Sequence, residues 1–229
     1  MPLMTSGVGR SDSVYAKGTA TGASVAFTSM AANLPSSPRW TIEGVQYNTL
    51  NPGIISIAGT GSVVFEITPA SSLTGFSWRA NALTGNFPDI RNCTSLSVVD
   101  VAVNSLSGPI PDLSGLTALT SLNARTNLLS GNIPSFASNT LLGAFFGYAN
   151  SFTGVVPGFA VPAACHDFEV NDCPLTQAAV DAILAAFVAA GAAGAYILNI
   201  GGIGPATPSA AGLTNKATLV TRGWAVTTN

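Results

Sequence analysis

Asn81, Asn104, Asn127 and Asn150 stand 23 residues apart, and each closes the same frame, L-x-x-L-x-L-x-x-N. The frame reads Leu73-Phe76-Trp78-Asn81, Leu96-Val99-Val101-Asn104, Leu119-Leu122-Ala124-Asn127 and Leu142-Phe145-Gly147-Asn150. One more step gives Cys165-Phe168-Val170-Cys173, with cysteine in place of both the first Leu and the Asn. A second marker keeps the period: Gly85-x-x-Pro88, Gly108-x-x-Pro111, Gly131-x-x-Pro134 and Gly154-x-x-Pro157. Two markers in phase make this segment a stack of like turns. One turn cannot bury its own apolar side, so each is stabilised by its neighbours.

The spacing has a physical cause. A short strand sends alternate side chains to opposite faces, so the apolar frame positions point inward and those between them point out. The Asn turns inward, where its amide can satisfy backbone groups that would otherwise be buried unpaired. These residues resemble the leucine-rich-repeat family. The segments ALTGNFP, SLSGPIP, LLSGNIP and SFTGVVP look like its plant-type subclass, and the resemblance covers residues 73–173. It implies an α/β leucine-rich-repeat solenoid with a concave parallel sheet and irregular or 3₁₀ turns outside. The 23-residue period, and Ala124 and Gly147 at core positions, depart from that subclass.

Beyond Cys173 the rhythm changes. Residues 174–191 predict an amphipathic helix with Val180, Ile183, Leu184, Phe187 and Val188 on one face and Thr176 as N-cap. Leu198-x-Ile200 resumes the strand pattern, with Ile203 at the Asn position. A second helix near residues 214–222 leads to Trp224-x-Val226-x-x-Asn229. Residues 174–229 thus read as helix-containing terminal repeats and a C-terminal cap. The run from Cys173 to Asn229 resembles a terminal module of bacteriophage structural proteins and some bacterial surface proteins. Residues 1–40, rich in Gly, Ser, Thr and Ala, read as an extended N-terminal arm suited to attachment. Residues 41–72 read as a β-rich cap, with a hairpin expected in Gly53–Thr68 around Gly59-Thr60-Gly61.

Charge is scarce. Only 8% of residues are Asp, Glu, Lys or Arg and the net charge is −2, which disfavours a nucleic-acid footprint or a polybasic membrane anchor. The most apolar stretch, residues 178–191, carries Asp181 and is shorter than the ~20 residues of a spanning helix. The N-terminus lacks the apolar core of a secretory signal. Cys93, Cys165 and Cys173 have neither metal-site spacing nor a complete disulfide framework, and they read as buried thiols. His166 is the only histidine, which removes most familiar catalytic arrangements. No phosphate loop, nucleophile elbow or metal motif is present, so neither an enzyme nor a cofactor is expected. Asp167, Glu169, Asp172 and Asp181 form an acidic group that reads first as a solvated face and second as a calcium site. Asn92-Cys93-Thr94 matches a glycosylation acceptor but equally reads as a turn leading into Leu96.

The outward strand positions carry the functional signal. One column runs Ser77, Asp100, Asn123, Phe146, Glu169 and Asn199; beside it run Arg79, Ala102, Arg125, Tyr148 and Asn171. Asp100 is expected between Arg79 and Arg125, with Phe146 and Tyr148 together over a loosely filled core at Gly147. Aromatic side chains beside Arg and amides are the material of binding hot spots. The candidate ligand-binding residues are therefore Arg79, Asp100, Asn123, Arg125, Phe146, Tyr148, Glu169 and Asn171. The expectation is a non-enzymatic bacteriophage virion or surface adhesion protein, such as a fibre, tail-tip or head-decoration component. Its arm would bind other virion structural proteins, and its concave face a host-surface protein or glycan. The alternative is an intracellular protein–protein interaction scaffold, cytoplasmic or at the cell surface. The composition also allows a homo-oligomer.

Overall fold

The computed structural model describes residues 74–80 and 83–229, together with the backbone of six earlier strands. These are β1 (Val14–Ala20), β2 (Val25–Ala26), β3 (Arg39–Ile42), β4 (Val45–Tyr47), β5 (Ile54–Ile55) and β6 (Gly61–Thr68). They pair antiparallel, in the orders β1-β6-β3-β4 and β2-β5. The hairpin expected within Gly53–Thr68 does not form, because β5 pairs with β2 while β6 pairs with β1 and β3. Alternation identifies a strand, but it does not choose the strand's partner. Strand β1 lies in the segment read as an arm and β6 in the segment read as a cap, so one sheet draws on both. The arm residues outside β1, β2 and β3, and the first ladder position, Asn81, lie outside the described residues.

From Gly75 onward the chain is a parallel β-solenoid whose turns follow the 23-residue frame. Strands β7 (Gly75–Ser77), β9 (Val98–Asp100), β11 (Ser121–Asn123), β13 (Ala144–Phe146) and β15 (Asp167–Glu169) recur every 23 residues. With β16 (Ile197–Asn199) and β17 (Ala225–Thr227) they form one seven-stranded parallel sheet, the concave face. Its register is unbroken: Ser77, Asp100, Asn123, Phe146, Glu169, Asn199 and Thr227 stand in one row. A second parallel sheet was not legible in the sequence. It consists of β8 (Thr84–Asn86), β10 (Ser105–Gly108), β12 (Leu128–Ile133) and β14 (Ser151–Val155), in the segments that carry the Gly-x-x-Pro marker.

The inward frame positions make the core. Leu96, Val99, Val101, Leu119, Leu122, Leu142, Phe145, Cys165, Phe168 and Cys173 are fully buried. Each strand ends in a left-handed residue immediately before the ladder position: Val103 at φ 60°, Thr126 at 53°, Ala149 at 53° and Asp172 at 56°. That conformation turns the next side chain inward, and it is costly for the β-branched Val103 and Thr126.

The asparagines then stitch turn to turn. Asn127 donates from Nδ2 to the carbonyls of Val101 (3.0 Å), Ala124 (3.2 Å) and Arg125 (3.2 Å), and its Oδ1 accepts from the Leu106 N–H at 3.0 Å. Asn104 and Asn150 repeat the pattern, reaching Trp78 and Ala124 in the turn before. At Cys173 only a thiol remains, donating to the Gly147 carbonyl at 3.5 Å. The sequence frame missed Asn139, fully buried on the convex side and donating to the Leu113 (2.9 Å) and Leu116 (2.8 Å) carbonyls.

Two helices replace the convex segments near the C-terminus, lengthening the steps between strands to 30 and 28 residues. Helix α1 (Gln177–Ala190) is capped by the Thr176 hydroxyl, which accepts from the Ala179 N–H, and stops at Gly191 with φ 78°. The expected face, Val180, Ile183, Leu184 and Phe187, is buried, with Val188 packed at its margin. Helix α2 (Ala210–Thr221) starts four residues earlier than expected, because Ser209 caps it through the Gly212 N–H. Ile203 does not occupy an inward ladder position: it is 86% exposed, in a turn between two left-handed glycines. Asn229 instead ties that turn down, donating to Gly202 (3.0 Å) and Pro205 (2.7 Å). The core beneath these helices is aromatic. Rings run from Phe136 through Phe145, Phe168, Phe187 and Trp224 to Tyr196, each centroid 4.9 to 5.2 Å from the next.

Candidate recognition face

The concave sheet places the expected columns where the frame puts them and then sorts their side chains into two groups. In the N-terminal half, Asp100 Oδ1 accepts from the Ala102 N–H at 3.0 Å, and its Oδ2 lies 4.0 Å from the Arg79 guanidinium. The Asn123 amide oxygen accepts from the Arg125 N–H in the same way, at 3.5 Å, and at the other end of the sheet the Asn199 amide oxygen accepts from the Gly201 N–H at 3.4 Å. These short polar residues satisfy the backbone as it leaves the strand, a local use that competes with ligand binding. Ala102, although in an outward column, is fully buried.

Arg125 does not join Asp100. Its guanidinium stands 5.6 Å from the centroid of the Tyr148 ring, one strand further on. This is a cation–π contact, and planar Arg stacks readily on aromatic faces. Phe146 and Tyr148 are both half-buried, on either side of Gly147. The core beneath Gly147 is not loose: a methyl group there would stand 2.6 Å from the Phe145 ring and 3.3 Å from Val170. The Phe145 ring takes the space that a side chain at 147 would fill, and the outward pair rests on a packed floor.

Next to this pair stand the carboxyls of Asp167 and Glu169, outward neighbours on β15. Partial burial raises both above their ordinary values. For Glu169 the adjacent Asp167 adds to the rise and Arg125 opposes it; for Asp167, His166 and the hydrogen bond with Glu169 oppose it. Asn171 donates from Nδ2 to Asp172 at 2.7 Å, and its Oδ1 is buried without a hydrogen-bond partner.

The four acidic residues grouped by sequence do not converge. Asp172 Oδ1 accepts from the Ile203 N–H at 2.8 Å and Asp181 Oδ1 from the Ser209 N–H at 3.0 Å, each holding a loop or helix start. Among the described residues no three His, Cys, Asp or Glu side chains are grouped to hold a metal ion. The thiols of Cys165 and Cys173 are pushed up by burial, to about 12 and about 11, so neither is a ready nucleophile. No helix among the described residues is long and apolar enough to cross a membrane. Six of the candidate residues, Asn123, Arg125, Phe146, Tyr148, Glu169 and Asn171, lie on β11, β13, β15 and the residues just after them; Arg79 and Asp100 form a separate pair.

No protein-family description and no curated protein matches the chain. Among solved structures it is similar to the leucine-rich-repeat ectodomain of the receptor kinase SOBIR1 from Arabidopsis thaliana, at 28% identity. That match covers 46% of this chain and 59% of the ectodomain, with a TM-score of 0.41. The BIR2 ectodomain from the same plant matches at 28% identity over 44% of this chain and 55% of its own length, TM-score 0.39. A plant ice-binding protein matches at 29% over 46% and 36%, TM-score 0.40. The chain therefore spans between about a third and three fifths of the length of these structures.

Proposed function

We propose that the chain is a non-enzymatic recognition module that binds a protein partner through the C-terminal half of its concave sheet. The observation that carries this reading is the Arg125–Tyr148 stack with Phe146 beside it, on a rigid floor of stacked turns. Tyr, Trp and Arg dominate binding hot spots, and rigid presentation limits the ordering cost of binding. The Asn171 oxygen without a partner and the Asp167–Glu169 pair add polar groups that a ligand could satisfy. The finer reading places the protein on a bacteriophage virion or another surface, with residues 1–40 as its attachment. What supports it is the character of that segment and the resemblance of residues 173–229. Purified particles that contain the chain, and lose it on deletion of residues 1–30, would support that setting; particles without it leave the scaffold role.

The recognition face is tested by selecting peptides from a random displayed library on the purified chain. Phe146→Ala and Tyr148→Ala should each weaken the selected peptides by about 2 kcal/mol or more, roughly thirtyfold. Neither should move stability by more than about 1 kcal/mol. Arg125→Ala should weaken the same peptides with a steeper dependence on salt. The control is Asp112→Ala, whose exposed carboxylate only closes the turn to Ser114. Equal binding by the Phe146→Ala/Tyr148→Ala double variant and this control would move the binding surface elsewhere.

A further inference from the structure

On the reading of the concave face as the recognition surface, we infer that the partner inserts a basic side chain, a lysine or arginine, over β15 between Phe146 and Ile197. The outward residues of that strand offer oxygens and little else. Asp167 and Glu169 carry carboxyls, and both residues are half-buried. Asn171, next in the same outward series, uses its amide nitrogen to donate to Asp172 at 2.7 Å. The Oδ1 atoms of Asp167 and Asn171 are buried without a hydrogen-bond partner. Neither carboxyl is in an ion pair: those among the described residues are Arg79–Asp100 and Arg91–Asp89. Arg125 and His166 act on the carboxyls only through space, and the Arg125 guanidinium lies over the Tyr148 ring. Such a strand calls for donors and positive charge, and Lys and Arg are the charged side chains that donate without accepting.

The strands on either side supply walls for its stem. Phe146 stands beside Glu169 on β13 and Ile197 beside Asp167 on β16, each one strand spacing away, about 4.8 Å. An aromatic face and a carboxylate together hold a cation, while the methylenes of Lys or Arg cover apolar surface. Ile197 is 44% exposed, so that surface is open to the partner. The neighbouring outward amide, Asn199, does not compete, because its oxygen accepts from the Gly201 N–H. A metal ion is the poorer occupant, since the next carboxylates, Asp172 and Asp181, accept from the Ile203 and Ser209 N–H groups. Asp100 and Asn123, further along the row of Glu169, already serve the backbone that leaves their own strands. The acceptors left for a partner are therefore gathered on one strand, and they fit one cation rather than a broad basic surface.

The test presents a random displayed peptide library to the full chain and keeps the peptides that lose affinity on Phe146→Ala. A Lys or Arg should recur at one position among them, and Met in its place should weaken binding about tenfold or more. Asp167→Asn/Glu169→Gln keeps the shape of both side chains. It should weaken the original peptides by the same factor and the Met-substituted peptides hardly at all. Asp112→Asn removes an exposed charge elsewhere and should change none of them, which separates the site from the attraction of an acidic protein for any basic peptide. Glu169→Lys, panned with the same library, should return Asp or Glu at that position. Peptides that depend on Phe146 but share no basic residue overturn the cation and leave the recognition face standing. So does a basic residue whose replacement costs as much on the Asp167→Asn/Glu169→Gln chain as on the wild type. Binding that ignores Phe146→Ala/Tyr148→Ala removes the face, and the cation with it.

Discussion

The turns from Leu96 to Asn150 and those from Cys173 to Asn229 do the same job by different means. In the first region an Asn amide joins each turn to the one before through hydrogen bonds near 3 Å, and the convex side is a narrow sheet. In the second, Cys173 stands where the amide was and an amide returns only at Asn229, while helices take over the convex side and aromatic rings pack between the layers. A solenoid can therefore keep its strand register while exchanging directional polar cohesion for packing. The amide fixes how far one turn stands from the next. Ring packing tolerates variable lengths, and the strand step grows from 23 to 30 residues just past Cys173, where the amide is missing.

The comparison breaks first at Phe168, the ring on which Phe145, Phe159 and Phe187 converge. Phe168→Ala should cost about 3–5 kcal/mol, as large core truncations do. Chemical denaturation that finds less than 2 kcal/mol would mean that the rings are not the cohesive element. Asn127→Ala should cost about 1–3 kcal/mol, because it strands the Leu106 N–H and the Val101 carbonyl. Cys173→Ala should cost less than Asn127→Ala, since it removes one weak thiol donor. Equal losses would erase the distinction between the two regions.

Smaller effects sharpen it. Val103→Gly should raise stability by up to about 1 kcal/mol, because φ 60° costs a β-branched residue and costs glycine little. A loss on that substitution would show that the exposed valine packs usefully. The smallest expected effect is a pH dependence at the junction of the two regions. The folded chain raises the Asp167 and Glu169 carboxyls, so it binds their protons more tightly than the unfolded chain. The stabilisation is thus full below the ordinary carboxylate range, about pH 4, and is lost as pH rises through the raised folded values. Glu169→Gln should melt higher than wild type at pH about 7, the gap closing toward pH about 4. Parallel melting curves across that range would show that the pair is fully solvated.

The seven-stranded sheet and the ladder were legible because both markers repeat at one period and the period has a single physical meaning. Helix α1 was legible too, from its apolar spacing and its Thr176 cap. The second sheet was not: its strands are short, contain Gly85, Gly108 and Gly131, and read as turns until their partners are known. Membership of the concave columns could be counted off, but the conduct of the side chains could not. Arg125 had Asp100 and Tyr148 both within reach, and nothing in the order of residues says which it will take. Gly147 looked like a gap because the space above a glycine is filled by a neighbour, here Phe145, and not by the residue itself.

Every ladder bond points backward along the chain, and this gives synthesis a direction. Asn127 takes its partners 26 and 21 residues upstream, as do Asn104 and Asn150, and Cys173 reaches back 26. A turn leaving the ribosome therefore carries a carbonyl and an N–H that wait for a side chain not yet made. At about 5–20 residues per second, the lag is roughly 1–5 s per turn. Each turn is completed by its successor, so a nascent chain always has one unfinished end, and that end advances with translation. A product cut short before Asn127 leaves the Val101 carbonyl and the Leu106 N–H without the amide that serves them in the full chain. Its last turn stays open to water, proteases or the next molecule.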